Sequence, residues 1–143
     1  MYRVNRSALL GYSARQMYDL VVDIERYPDF LNWCSGSRVV ESSDGEVVAS
    51  IDISFKGLHR SFTTRNIMDP GRSVRIELVN GPFRTLNGIW RFIELDEGSC
   101  KIELDLEFDF STVLVGRLVG PVFSQIANRQ LDAFQRRAVQ VYG

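Results

Sequence analysis

The sequence predicts an α+β domain in which a curved antiparallel sheet of about six to seven strands wraps a long C-terminal helix. Three observations predict it. Apolar residues alternate with polar ones through the middle of the chain, most cleanly in Cys100, Ile102, Leu104, Leu106, Phe108 and Phe110. Dipeptides that favour turns (Asp44-Gly45, Lys56-Gly57, Pro70-Gly71 and Glu97-Gly98) separate the alternating runs, so neighbouring strands pair antiparallel. The last third returns to helical spacing, with Val122, Phe123, Ile126, Ala127, Gln130, Phe134, Ala138 and Val141 on one broad face.

Taken in order, Arg3 to Leu10 reads as a strand that ends at Gly11. Ser13 and Gln16 then form a capping box, and Tyr12 and Met17 stand where a hydrophobic staple places them. Met17, Leu20, Val21 and Ile24 recur at helical spacing. Pro28 disfavours helical geometry at Tyr27, so the helix is expected to stop or bend there. Pro28 can then open a second short helical turn through Phe30 and Leu31. From Ser37 the period is two. Val47, Ala49, Ile51, Ile53 and Phe55 share one face, and Phe62, Thr64, Asn66 and Met68 continue the pattern. Val74, Ile76 and Leu78 follow, then Leu86, Gly88, Trp90 and Phe92. In the last strand a one-residue slip buries Lys101, Glu103, Asp105, Glu107 and Asp109, which sets its register. Gly120-Pro121 either opens the final helix or interrupts a longer one that begins near Thr112. From Pro121 to Val141 that helix spans about 30 Å. A strand of ten residues is about as long, so the sheet can wrap it.

The chain reads as a single domain over 1–143, without repeats, linkers or low-complexity segments. Its net charge of -1 argues against a protein built to coat nucleic acid, and no DNA partner is expected. The basic residues are nearly all arginine, the lysines being Lys56 and Lys101, and surface ion pairing accounts for most of them. Cys34 and Cys100 form no CxxC pair and are expected to be reduced thiols in the cytoplasm. No apolar run reaches the roughly 18 residues of a membrane span, and the N-terminus lacks the apolar core and cleavage site of a signal peptide.

Catalysis finds little support. The inward faces of the strands carry Val, Ala, Ile, Phe, Leu and Trp and almost no carboxylate, so no acid–base pair is placed there. His59, the lone histidine, follows the Gly57 turn and reads as a surface residue. One histidine and two distant cysteines make no metal-ligand set. Neither GxSxG nor a P-loop is present. Large apolar area is instead supplied by Phe55, Phe62, Phe83, Trp90, Phe108 and Phe123, which either fill a core or line a cavity. Tyr27, Pro28, Phe30, Leu31 and Trp33 cluster around the helix break, as a packed corner or as a cavity mouth that touches a membrane. Val113, Leu114, Val115, Leu118 and Val119, interleaved with Gly116 and Gly120, could form a movable lid. Thr64, Asn66 and Asn80 are polar groups available to a bound head group or to the sheet itself.

Three segments carry a family resemblance: Tyr18-Asp19-Leu20-Val21 followed by Asp23-Ile24-Glu25-Arg26-Tyr27-Pro28-Asp29-Phe30-Leu31-x-Trp33-Cys34; Gly81-Pro82-Phe83-x-x-Leu86-x-Gly88-x-Trp90-x-Phe92; and Ala133-Phe134-x-x-Arg137-Ala138. In these the chain resembles the ubiquinone-binding (coenzyme Q-binding) branch of the START-like, polyketide-cyclase superfamily, over nearly its whole length. Bacterial members of that branch include proteins named ribosome-association toxins. Asn32 departs from the pattern, standing where the family usually has proline.

The resemblance implies a helix-grip fold with a deep apolar cavity between sheet and long helix. It implies a carried polyprenyl quinone such as ubiquinone, or a related lipid, in support of respiratory electron transport. No resident cofactor is expected, and the residues expected to bind the ligand are Tyr27, Phe30, Leu31, Trp33, Phe55, Phe62, Phe83, Trp90, Phe108, Leu118, Val122, Phe123 and Ile126. An isoprenoid tail gains about 0.8 kcal/mol per buried CH₂. A carrier of this kind calls for a cavity of roughly several hundred Å³. Such a carrier stays cytoplasmic or sits peripherally at the inner membrane face, with transient contact to the membrane surface. The alternative that the resemblance offers is binding to the large ribosomal subunit and inhibition of translation. That reading calls for a basic surface stripe, for which Arg3, Arg6, Arg15, Arg26, Arg129, Arg136 and Arg137 are candidates. A polyketide-cyclase-type enzyme ranks last.

Overall fold

A computed structural model describes residues Met1–Gly143. Nine elements of regular structure and one short 3₁₀ turn follow in order: β1 (Tyr2–Leu10), α1 (Ala14–Val22), the 3₁₀ turn (Ile24–Asp29), β2 (Cys34–Ser43), β3 (Glu46–Phe55), β4 (Leu58–Asp69), β5 (Ser73–Asn80), β6 (Phe83–Glu94), β7 (Cys100–Phe110) and α2 (Val113–Tyr142). The seven strands form one antiparallel sheet in the order β1-β7-β6-β5-β4-β3-β2. Register irregularities at Cys34/Gly36, Val39/Glu41, Thr63/Thr64 and Phe83/Thr85 add local twist and bend the sheet.

Local chemistry explains the boundaries. Ser13 Oγ accepts from the Gln16 N–H at 3.1 Å, and Gln16 Oε1 accepts from the Ser13 N–H at 2.8 Å, which completes the expected capping box. The helix ends at Val22, earlier than Pro28 requires, because Asp23 leaves helical geometry at φ -84, ψ 64. Pro28 therefore lies inside the second short helix and does not open it. Lys56-Gly57 makes a two-residue hairpin turn with both residues at positive φ, 51 and 80, between paired Phe55 and Leu58. At the C-terminus the longer of the two alternatives holds. α2 starts after the Thr112 cap and runs through Pro121 without ending. The Pro121 ring lacks the N–H that would bond the Arg117 carbonyl.

One face of the sheet is apolar and the other charged. In β7 all six inward side chains from Cys100 to Phe110 are buried, and the residues between them reach solvent. Cross-strand pairs knit the outer face: Arg3–Asp105 (3.1 Å), Arg38–Asp52 (3.0 Å) and Arg91–Glu103 (3.6 Å). Such exposed pairs contribute little individually.

The core holds two groups of aromatic rings. In one, Phe123 lies with its centroid 4.8 Å from both Phe83 and Phe108 and 5.9 Å from Phe62. In the other, Phe134 meets Tyr27 (5.5 Å), Phe30 (5.3 Å) and Trp90 (5.4 Å) edge to face. Phe123 and Phe134 both belong to α2, so the helix rests on the sheet at two aromatic supports. Between them on the buried face stands Ala127, whose methyl group is too short to fill the intervening space.

Cys34 and Cys100 are buried free thiols, and burial pushes each from the usual 9.0 up to about 11. A folded-state pKa above the unfolded value means that these groups support folding below pH 9 and withdraw that support as pH rises toward 11. Two results are expected. Thiol-reactive reagents at pH 8 label both cysteines only when the protein unfolds, and thermal stability declines between pH 9 and 11. Rapid labelling of the native protein at pH 8 contradicts this.

Candidate ligand cavity

Between the two aromatic supports lies a cavity bounded by the sheet, α1, the 3₁₀ turn and α2. Its volume is about 100 Å³. Seventeen of its 20 lining residues are hydrophobic, so it prefers hydrocarbon to water. This is smaller than a carrier of a long tail calls for, because rings from both supports converge on the same space. The lining residues that keep some exposure are Val22, Met68, Ile76 and Gln130, and they mark where the cavity approaches the surface.

The polar lining residues are Thr64, Asn66 and Gln130. Asn66 Nδ2 donates to the Val47 carbonyl (3.3 Å), the Thr64 carbonyl (3.3 Å) and Thr64 Oγ1 (3.1 Å). Gln130 Oε1 is buried without a partner. The Tyr27 hydroxyl donates to the Val21 carbonyl at 2.5 Å, so Tyr27 offers the cavity its ring, and burial raises its phenol pKa. The lining contains no carboxylate, imidazole, ammonium or guanidinium. No cluster of three or more His, Cys, Asp or Glu side chains is placed to hold a metal ion.

Of the residues that the sequence singles out, Tyr27, Trp33, Phe62, Thr64, Asn66, Trp90, Phe123 and Ile126 line this cavity. Phe83 and Phe108 stand behind Phe123 and support it. Phe30, Leu31 and Phe55 border a separate groove, which they share with Trp33, Ile126, Arg129 and Arg136. Val122 is half-buried, and Leu118 is 56% exposed, one helical step off the buried face that starts at Val119. The proposed lid stretch is the first turns of α2. There Val113 and Leu114 are exposed, whereas Gly116 and Gly120 lie close to the Phe110 ring. Asn80 is exposed at the end of β5, and His59 is exposed at the start of β4.

Gln130 and Ala127, which the sequence reading places on the helix face but not among the ligand-binding residues, are the further lining residues that matter most. Both sit on the apolar face of α2. A polar residue between Ile126 and Phe134 at four-residue spacing is the signal that marks Gln130. Leu86, Leu104, Leu106 and Ile51 also line the cavity, on strand faces shared with chosen residues.

A family described as polyketide cyclase / dehydrase and lipid transport matches residues 10–135. The chain is 50% identical, over 100% of its length and 99% of the relative's, to the ribosome association toxin RatA of Vibrio cholerae. It is 28% identical to the mitochondrial coenzyme Q-binding protein COQ10 homolog B of Xenopus laevis, over 97% of this chain and 59% of that one. Among solved structures, the Zhui aromatase/cyclase from Streptomyces sp. R1128 superposes with a TM-score of 0.85 at 17% identity, over 99% of this chain and 98% of that one. At that identity the likeness is one of fold.

Proposed function

Because the chain belongs to the polyketide cyclase / dehydrase and lipid transport family, we propose that it holds a hydrophobic small molecule in this cavity without transforming it. The observation that carries the reading is the lining itself. Apolar walls gain about 25 cal/mol for each Å² of ligand surface that they remove from water. The same walls offer no group able to exchange a proton at neutral pH. A polyprenyl quinone such as ubiquinone, or a related lipid, fits that chemistry, and the Xenopus relative's name supports it. A tail of several isoprene units is larger than the closed cavity. Loading therefore requires side chains near Val22, Met68 and Ile76 to move apart. The role is that of a carrier or chaperone in quinone use, working at or near a membrane surface. No helix of the protein is long and apolar enough to cross a membrane.

The two tryptophans, Trp33 and Trp90, both line the cavity, so the protein reports on its own occupancy. Titration with a short-chain ubiquinone analogue is expected to quench their fluorescence saturably, at one ligand per chain. Linear, unsaturable quenching would reject the reading.

A second reading concerns the outer surface and is compatible with the first. The name of the Vibrio relative, 50% identical over the full length, supports association with the ribosome. The large subunit is the partner proposed. From Phe110 to the C-terminus the chain carries four arginines and one aspartate. Of the candidate arginines, Arg3, Arg15 and Arg26 are neutralised by ion pairs. Arg6 donates to the Asn128 carbonyl, and Arg137 sits 4.9 Å over the Phe30 ring. Arg129 and Arg136 make no ion pair and border one groove. The double charge reversal Arg129→Glu, Arg136→Glu is expected to weaken co-sedimentation with large subunits about tenfold at low salt. Unchanged co-sedimentation removes α2 from the contact. Its absence in the unmutated protein, at both low and moderate salt, removes the second reading.

A further inference from the structure

Gln130 is a polar side chain that its surroundings leave unsatisfied. It lines an apolar cavity, yet its Oε1 is buried with no hydrogen-bond partner. An orphaned acceptor of this kind costs free energy in the empty protein. Thr64 and Asn66 line the same cavity from β4. The bonds that Asn66 makes there use Nδ2, and none of them uses Oδ1. Two amide oxygens among the lining residues therefore accept no hydrogen bond, and of these Gln130 Oε1 is the buried one. The terminal torsion of a glutamine is soft, so Gln130 can turn its amide toward an occupant.

We propose that Gln130, with Asn66 and Thr64, seats the polar end of a neutral lipid that carries a hydroxyl group. The proposal rests on the reading of this cavity as a ligand site. The polarity of the lining selects the class. A carboxylate, phosphate or ammonium head would be buried without a counter-charge, which excludes it. An ether or a quinone carbonyl accepts hydrogen bonds but donates none, so it can serve the Gln130 N–H group and leaves both oxygens as they were. A hydroxyl serves the N–H and an oxygen together. Among prenylated aromatic lipids, the hydroquinone is thus the form that fits, in preference to the quinone.

A pair of ligands in which one O-methyl group replaces the hydroxyl donor tests this without redox chemistry: para-hexylphenol and its methyl ether, titrated into the full chain by calorimetry. The phenol is expected to bind about tenfold more tightly or better. Gln130→Met removes the amide while keeping its length. It is expected to bring the two ligands to parity and to raise the melting temperature, since the orphaned oxygen is gone. A purely structural role for Gln130 predicts the opposite change in melting temperature. Equal binding of the two ligands by the unmutated protein would overturn the hydroxyl preference and leave the cavity reading standing. A phenol preference that survives Gln130→Met would overturn the assignment to Gln130. Failure of both ligands to bind would remove the cavity reading, and the proposal with it.

Discussion

Phe134→Ala is expected to lower folding stability by about 3–5 kcal/mol, a large share of the 5–15 kcal/mol that a domain possesses. Phe134 is 0% exposed and touches three rings from two parts of the chain: Tyr27 and Phe30 around the 3₁₀ turn, and Trp90 on β6. Each edge-to-face pair adds about 0.5–1.5 kcal/mol to the burial of the ring itself. Tyr27 and Trp90 also wall the existing cavity, so they have little packing behind them to drive collapse into the space left behind. Phe134→Leu keeps most of the apolar volume and is expected to cost well under half as much. Chemical denaturation of the two variants against the parent measures both. A loss below about 1.5 kcal/mol for Phe134→Ala would mean that α2 is not held at this support.

Ala127→Phe is expected to leave the protein folded and to weaken ligand binding roughly 200-fold, since seats for about four methylenes at 0.8 kcal/mol each are lost. Ala127 is 4% exposed and faces the cavity from between the aromatic supports on α2. Nearly everywhere else in a packed core an added ring strains the structure by about 1–3 kcal/mol. Here it enters space that is already empty, so a neutral or slightly positive change in stability is expected. The two effects together separate a cavity from a tightly packed core. If Ala127→Phe is destabilised as any overpacked core is, and binding is unchanged, the cavity has been assigned to the wrong place.

Much of this architecture is legible in the sequence, for physical reasons that vary along the chain. β7 is legible because its alternation is unbroken and a slip buries five charges. The start of α1 is legible because the Ser13–Gln16 capping box is local chemistry. The end of α1 is not, because the break at Asp23 precedes the proline that marks it. The course of α2 through Gly120-Pro121 is not legible either. Proline is compatible with both alternatives, and packing of Gly116 and Gly120 against Phe110 accompanies the longer one.

The candidate site is legible in its chemistry and less so in its membership. Large aromatic residues announce apolar volume, but whether a given ring walls a cavity or supports another ring depends on tertiary placement. Phe62 and Phe123 do the first, and Phe83 and Phe108 do the second. Leu118 shares the composition of its neighbours and points outward because a helix turns 100° at each residue. Ala127 is legible only in three dimensions, since what it contributes is the absence of a larger side chain.

The most direct measurement of the central claim is organic extraction of the purified native protein, followed by mass spectrometry of the extract. The claim predicts a neutral prenylated or fatty lipid at a substantial fraction of one molecule per chain, absent from a parallel preparation of Ala127→Phe. An extract free of lipid, or one holding the same lipid in equal amount from both preparations, would contradict it.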